Sequence, residues 1–168
     1  MVTKVSEVEN IVKEGIVNPE AVFLRIKKMA ESNDWKVREV AATTLVEIGK
    51  KKTSDVIQEM KKWAADNDPN VRRTASEGLR GVARKNPQDV LPIVEKLKKD
   101  SNLYVKKSVA NILRNAGNYN STFVLELCKK WASLKNPHTN WIIKDGLRKL
   151  KRSHTRETKI ILDLITNK

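Results

Sequence analysis

The fold is decided by one stretch of sequence, Asp68-Pro69-Asn70-Val71-Arg72-Arg73-Thr74-Ala75-Ser76-Glu77-Gly78-Leu79-Arg80-Gly81-Val82-Ala83-Arg84. It begins with a helix-start signal, because Asp68 can cap the first turn and Pro69 suits the first helical position. Four apolar residues then recur at helical spacing: Val71, Ala75, Leu79 and Val82. Four charged residues project onto another face and place one carboxylate among three guanidinium groups: Arg73, Glu77, Arg80 and Arg84.

The same pattern recurs every 34 residues, with Val37, Val71 and Val105 each opening a similar segment. Two further series keep this spacing, one after the valines and one before them: Leu45, Leu79 and Leu113, and Met29, Trp63, Leu97 and Trp131. A fourth copy is predicted with an offset of three residues, so that three residues take the valine, small and leucine positions: Ile142, Gly146 and Leu150. The repeating unit is therefore a pair of helices.

Helix pairs with this period are compatible with tetratricopeptide and with HEAT-like solenoids. The tryptophan, glycine and tyrosine of a tetratricopeptide first helix are missing, whereas the Asp-Pro-x-Val-Arg opening at Asp68 resembles a HEAT repeat. No segment shows the sustained alternation of a strand. We therefore predict an all-α fold, a right-handed α-solenoid of about four HEAT-like helix pairs with terminal helices.

One repeat domain is expected over residues 1–168. The predicted repeats are roughly 18–50, 53–85, 87–118 and 121–152. A short capping helix is predicted from Met1 to Val17, and a C-terminal capping helix at 155–166. The helices within the repeats are predicted at 18–32, 34–49, 53–65, 70–84, 87–98, 103–116, 122–134 and 139–151, and Pro92 is expected to kink or tighten its helix.

The charge points to an anionic partner, because 34 Lys and Arg stand against 20 Asp and Glu, a net charge of +14. Nucleic acid is the commonest such partner, and an ordinary solvated lysine-rich surface is the alternative. Cys128 is the only cysteine, which fits a reducing compartment. We expect no signal peptide, no membrane span and a cytoplasmic location. His138 and His154 have no metal-ligand spacing, so we expect no metal and no cofactor.

In a HEAT-like stack the second helices line the concave surface, so equivalent positions form columns along it. With the offset fourth copy, three columns result: Glu39, Arg73, Lys107 and Lys144; Thr43, Glu77, Asn111 and Arg148; and Val46, Arg80, Arg114 and Lys151. From the second repeat onward this surface is basic. It suits the phosphate backbone of double-stranded DNA, with salt-dependent binding that selects no sequence. The candidate DNA-binding residues are Arg73, Arg80, Arg84, Lys107, Asn111, Arg114, Trp141, Lys144, Arg148 and Lys151.

Glu77 is the one acid among these cations, and two interpretations stay open. It can balance the charge of Arg73 and Arg80 on its own helix. It can also stabilise a cation that develops on a substrate, or activate a water. Trp63 and Trp131 are predicted to be core residues, whereas Trp141 is the tryptophan most available to contact DNA.

The stretch 63–80 resembles the central motif of the DNA alkylation repair HEAT-repeat glycosylases, in the AlkC branch of the AlkC and AlkD superfamily. Further matches lie at 90–92, 97–100, 104–111, Trp131, 141–144 and 146–148, so the resemblance covers roughly residues 55–152. It implies a DNA-binding solenoid that removes 3-methyladenine and related cationic bases without a metal or cofactor. Glu77 lies in the Ser-Glu-Gly motif of that family and is the first candidate for its acid, with Asp145 as the second.

Three departures limit this resemblance. The tryptophan-containing stretch that follows the Ser-Glu-Gly helix in AlkC-like sequences is missing here, and Arg114-Asn115 replaces an Asn-Asp pair. Asp145 stands where the family has a histidine. The leading hypothesis is a monomeric DNA-binding HEAT-repeat protein of the DNA alkylation repair type, and the activity considered for it is excision of N3- or N7-alkylated purines. The alternatives are a non-catalytic binder of distorted DNA and a scaffold for an acidic protein partner.

Overall fold

The computed structural model describes residues 5–166, with side chains from Glu7 onward. Met1 to Lys4 of the predicted capping helix lie outside the described residues. Within 5–166 every regular element is helical, which confirms the all-α solenoid. The helices are α1 (Val5–Val17), α2 (Glu20–Ala30), α3 (Trp35–Gly49), α4 (Thr53–Trp63), α5 (Pro69–Glu77), α6 (Arg80–Lys85), α7 (Leu91–Leu97), α8 (Leu103–Gly117), α9 (Ser121–Ala132), α10 (Pro137–Gly146) and α11 (Thr155–Thr166).

A side-chain cap begins the second helix of every pair. Asp34, Asp68, Asn102 and Asn136 each accept a hydrogen bond from the backbone N–H two residues later. Such caps satisfy N–H groups that have no partner inside the helix. The four caps follow one another every 34 residues, so the repeat period of the sequence is the period of the structure.

The offset predicted for the fourth repeat is wrong. Because Asn136 caps α10 at the regular spacing, Thr139 takes the place of Val105, and Leu147 that of Leu113. Thr139 and Leu147 are both fully buried. The Thr139 hydroxyl donates to the Lys98 carbonyl oxygen at 2.8 Å, so a polar residue fills this apolar position without an unpaired group.

The helix predicted at 70–84 is divided into α5 and α6, and the helix predicted at 139–151 ends early, at Gly146 with α10. Both divisions follow a glycine. A Cβ at Gly78 would lie 2.9 Å from Leu45 Cβ, and one at Gly146 would lie 2.8 Å from Leu113 Cδ1. These glycines let the second helices approach closely. Immediately after each glycine the helix narrows to a 3₁₀-type turn, in which the Leu79 N–H donates to the Ser76 carbonyl oxygen and the Arg148 N–H donates to the Asp145 carbonyl oxygen, three residues back.

The helix pairs form two layers. Successive second helices (α3, α5 with α6, α8 and α10) pack extensively on one another, whereas successive first helices (α2, α4, α7 and α9) touch much less. The row of second helices is therefore the shorter one and lies on the inside of the curve. Trp63 and Trp131 are buried between the layers, as predicted. The helix predicted at 87–98 is divided, because Pro87–Val90 forms a 3₁₀ turn and α7 begins only at Leu91, so Pro92 lies in the first turn of α7 rather than inside a longer helix.

The lone cysteine behaves as a small core residue. Cys128 is completely buried, and burial raises the pKa of its thiol to about 12. It is therefore not reactive in the folded chain. None of the helices in the described part of the chain is both long enough and apolar enough to cross a membrane.

Candidate nucleic-acid interface

The regular register changes which side chains share a column. We define the inner face as three columns on the second helices: Glu39, Arg73, Lys107 and Trp141; Thr43, Glu77, Asn111 and Asp145; and Val46, Arg80, Arg114 and Arg148. Trp141, Asp145 and Arg148 thus replace Lys144, Arg148 and Lys151 in the fourth repeat. Both acids proposed from the sequence fall in one column, two repeats apart.

Arg80 joins the first two repeats across the inner face. Its Nη1 donates to Glu39 Oε1 at 2.9 Å, and its Nη2 donates to Thr43 Oγ1 at 3.0 Å. Arg80 Nη1 is also 3.8 Å from Glu77 Oε2. Because its side chain is only 25% exposed, much of its donor capacity is used within the protein.

Glu77 is the less neutralised of the two acids. Its side chain is 12% exposed and accepts a 3.3 Å hydrogen bond from Asn111 Nδ2 of the next repeat. Burial raises the pKa of the Glu77 carboxyl above its ordinary value, since the charged form loses hydration. The charge of Arg73, the Asn111 bond and the charge of Arg80 oppose this rise, and the charge of Glu39 adds to it.

Asp145, in contrast, is held in a close ion pair. Arg114 Nη1 lies 2.5 Å from Asp145 Oδ2 and 3.2 Å from its backbone oxygen. Arg148 Nη1 is 3.7 Å from the other carboxylate oxygen, so the acid has a guanidinium on each side. The segments Glu77-Gly78-Leu79-Arg80 and Asp145-Gly146-Leu147-Arg148 have the same local design, but only the second has a short bond to a neighbouring arginine.

Three cations of the inner face remain available to a ligand. Arg73 and Lys107 make no hydrogen bond or ion pair with the side chains that the structure describes, although Lys107 lies over the Tyr104 ring at 5.4 Å. Arg148 is 68% exposed. Together they place positive charge on the second, third and fourth repeats.

Other predicted site residues lie away from these columns or are already occupied. Lys144 is exposed at the position equivalent to buried Ser76 and Ala110, and Lys151 is exposed in a 3₁₀ turn, Leu150–Arg152. Arg84 does not join Glu77, because it lies on α6 and its Nε donates to Asn115 Oδ1 at 3.0 Å. These three side chains surround the inner face rather than form part of it.

Trp141 is half-buried on the inner face, and Lys106 Nζ lies 5.5 Å from its ring centre. This cation–π contact holds a charge over the ring. A base could stack there only if the lysine moved aside. Lys106, half-buried beside the ring, is itself a candidate partner for a phosphate.

Sequence reasoning missed three partners that hold the inner face together. Glu39 and Thr43 fix Arg80, and Asn115 links Arg84 to the third repeat while its Nδ2 donates to the Asn111 carbonyl oxygen at 2.9 Å. Glu39 and Thr43 did occur in the predicted columns, which was the only available signal. Among residues 7–166, no group of His, Cys, Asp and Glu is placed to hold a metal ion.

Comparison with known proteins matches residues 22–114 to the HEAT-repeat family. A solved structure of similar fold is the alkylpurine DNA glycosylase AlkC of Pseudomonas fluorescens, bound to DNA that contains an abasic site analog. The two chains superimpose with a TM-score of 0.78 and are 26% identical. This likeness confirms the resemblance drawn from the sequence.

The match covers 92% of this chain but only 44% of the AlkC chain, so this chain spans less than half of that protein's length. A sequence search of curated proteins gave no significant match. The likeness to AlkC therefore concerns the helical solenoid that the two chains share.

Proposed function

This chain belongs to the HEAT-repeat family, and we propose that its inner face binds the phosphate backbone of double-stranded DNA. We also propose that Glu77 assists the removal of a cationic alkylated purine from that DNA. The positive charge of Arg73, Lys107 and Arg148 supports the first part. Their side chains are spread over three repeats, as the curved backbone of a duplex requires. The similarity to a glycosylase solved with DNA supports the same partner.

The observation that carries the catalytic part is the state of the Glu77 carboxylate. The nearest guanidinium nitrogen to Glu77 is 3.8 Å away and also bonds to Glu39. The negative charge of Glu77 is therefore compensated less than that of Asp145, which forms a close ion pair with Arg114. When a cationic base departs, the deoxyribose acquires positive charge. A partly desolvated carboxylate stabilises such charge far better than one in water, and it can also activate the attacking water.

Asp145 has another role in this proposal. It fixes the Arg114 guanidinium and thereby ties the third and fourth repeats together. We therefore assign Glu77 as the candidate catalytic residue and Asp145 as a positioning residue. The remaining sequence predictions, a cytoplasmic monomer that needs no cofactor, stay predictions.

The test is release of free base from DNA treated with a methylating agent. Glu77→Gln is expected to lower the release rate by about 10²-fold or more, the usual scale for loss of one electrostatic stabiliser. Glu126→Gln is the matched control, because it removes an exposed carboxylate on α9, a first helix away from the inner face. Equal release by wild type and Glu77→Gln would remove Glu77 from the mechanism.

A non-catalytic binder of distorted DNA is the second candidate, favoured by Asp145, which stands where the resembled glycosylase family has a histidine and is held by Arg114 in an ion pair. It predicts salt-dependent duplex binding without any base release. A scaffold for an acidic protein would show neither base release nor duplex binding. The two measurements together distinguish all three functions.

A further inference from the structure

A pocket of about 290 Å³ lies at the edge of the solenoid where the ends of the third and fourth repeats meet. The end of α8, the 3₁₀ turn Leu150–Arg152 and the residues just before α11 line it. Gly117 lets these segments approach closely, because a Cβ there would lie 3.2 Å from Leu150 Cδ1. Lys149 also lines the pocket and directly follows Arg148 of the inner face, so the pocket begins where the inner face ends.

The wall of this pocket is rich in polar groups that the protein leaves without a partner. His154 contributes an imidazole whose Nδ1 lies 2.9 Å from Ser153 Oγ, and its Nε2 makes no bond within the described part of the chain. No Asp or Glu is among the described residues that line the pocket. Four lining side chains make no hydrogen bond or ion pair with any described residue: Asn118, Tyr119, Ser121 and Lys149.

This combination of groups suits a phosphate. The Lys149 ammonium group supplies positive charge, and hydroxyl, amide and imidazole donors around it match the several acceptor oxygens of a phosphate. A cation would be repelled by Lys149, and an apolar ligand would leave the polar groups of the wall unpaired. The volume of the pocket corresponds to about ten water molecules, so it admits a phosphate together with ordered water or an attached group.

We propose that this pocket binds a phosphate group, with Lys149 as its charged partner and the Ser121 hydroxyl and His154 Nε2 as hydrogen-bond donors. Two sources present this chemistry, a backbone phosphate of DNA that continues past Arg148 and a free phosphate ion. The first source rests on the proposed function, since the duplex on the inner face presents the phosphate. The second source does not depend on it.

The experiment is NMR of the histidine rings, because the chain has only two histidines, His138 and His154. Inorganic phosphate, titrated at constant pH and ionic strength, is expected to shift the ring signals of His154 until they saturate. The signals of His138 should stay unchanged. His138 is the matched internal control, because it lies in the first turn of α10 and would respond if phosphate bound at helix starts in general.

Lys149→Ala should weaken the apparent phosphate affinity about tenfold, the scale of one hydrogen bond to a charged group. Ser121→Ala should weaken it less, because the group that it removes is neutral. Lys129→Ala removes an exposed lysine from the last turn of α9, away from the pocket, and should leave the affinity unchanged. Thermal unfolding of each variant checks that it is folded.

The source of the phosphate is tested by adding a long DNA duplex in place of inorganic phosphate. A Lys149-dependent shift of His154 with DNA assigns the pocket to a backbone phosphate, whereas a shift with inorganic phosphate alone assigns it to a free ion. No shift of His154 with either ligand, or the same affinity in wild type and Lys149→Ala, would overturn the proposal. Duplex binding is measured separately by fluorescence anisotropy, so failure of the proposed function is distinguished from failure of this inference.

Discussion

Asn111 Nδ2 donates its 3.3 Å hydrogen bond to Glu77 Oε2 from the next repeat, so the proposed catalytic acid is fixed by two second helices at once. The position of the carboxylate therefore depends on how α5 and α8 stack. The buried Ser76 Oγ, next to Glu77 in sequence, donates to Ser108 Oγ of the same neighbouring helix at 2.6 Å. Two hydrogen bonds across one interface leave the acid little freedom to turn away.

Replacement of Glu77 by glutamine is expected to stabilise the fold at neutral pH. The folded chain raises the pKa of the Glu77 carboxyl. The protonated side chain therefore gives its full stabilisation at pH values below the pKa that it has in the unfolded chain, and this stabilisation is lost as pH rises through its pKa in the folded chain. Near pH 7 the ionised carboxylate is thus a net cost, which glutamine avoids. Thermal melts at pH 7 should give a higher Tm for Glu77→Gln than for wild type.

The control for this prediction is the same pair of melts below about pH 4, the unfolded pKa of glutamate. There both side chains are neutral, and the difference in Tm should disappear. A Tm of Glu77→Gln below that of wild type at pH 7 would mean that the contacts of Glu77 with Asn111 and Arg80 outweigh its burial.

A methyl group at Gly78 should weaken the stacking of the first two repeats. Its Cβ would lie 2.9 Å from Leu45 Cβ and 3.2 Å from the Thr74 carbonyl oxygen, contacts that the packed helices must move apart to relieve. We expect Gly78→Ala to lower the free energy of unfolding by about 1–3 kcal/mol. Gly81→Ala is the matched control, with room for the methyl group, and should be neutral or stabilise by less than about 1 kcal/mol. Urea denaturation measures both, and equal effects would show that Gly78 does not set the helix spacing.

The sequence was sufficient for the parts of the fold that depend on local signals. Asp34, Asp68, Asn102 and Asn136 could be recognised as caps from residue type and spacing. The fourth repeat was misplaced because apolar residues were followed instead of the caps. A threonine at a core position looks like an interruption, and only the structure shows the Lys98 carbonyl oxygen that accepts the Thr139 hydroxyl.

The candidate site was less predictable because its chemistry depends on pairs between repeats. Projection of one helix placed Arg80 beside Glu77, but it could not show that Glu39 on another helix takes the shorter bond. For the same reason, the sequence ranked Glu77 above Asp145 only through the Ser-Glu-Gly motif, and it gave no information on the contacts of the two acids. The difference between the two acids is the short bond from Arg114, which links helices α8 and α10.

Two adjacent arginines should have opposite roles. Arg72 Nη1 donates to the carbonyl oxygens of Asp66 and Asn67 at 2.9 and 2.8 Å, and Arg72 Nε lies 2.6 Å from Asp100 Oδ2. Arg72→Ala leaves these acceptors unpaired and should destabilise the chain by about 2 kcal/mol. Arg73→Ala should change stability by about 0.5 kcal/mol or less and weaken DNA binding instead. Chemical denaturation and duplex titration of both variants test this division, which a loss of stability in Arg73→Ala would contradict.

The salt dependence of duplex binding should distinguish free from occupied cations of the inner face. Each released phosphate counterion contributes about 0.9 to the slope of log K against log salt concentration. Arg73→Ala and Lys107→Ala should each reduce that slope by about this amount, because neither residue is paired within the described part of the chain. Arg80→Ala should reduce it less, since Glu39 already neutralises Arg80. Lys129 lies on α9, the first helix of the fourth pair, so Lys129→Ala should leave the slope unchanged. A reduction as large as that of Arg73→Ala would mean that DNA does not follow the inner face.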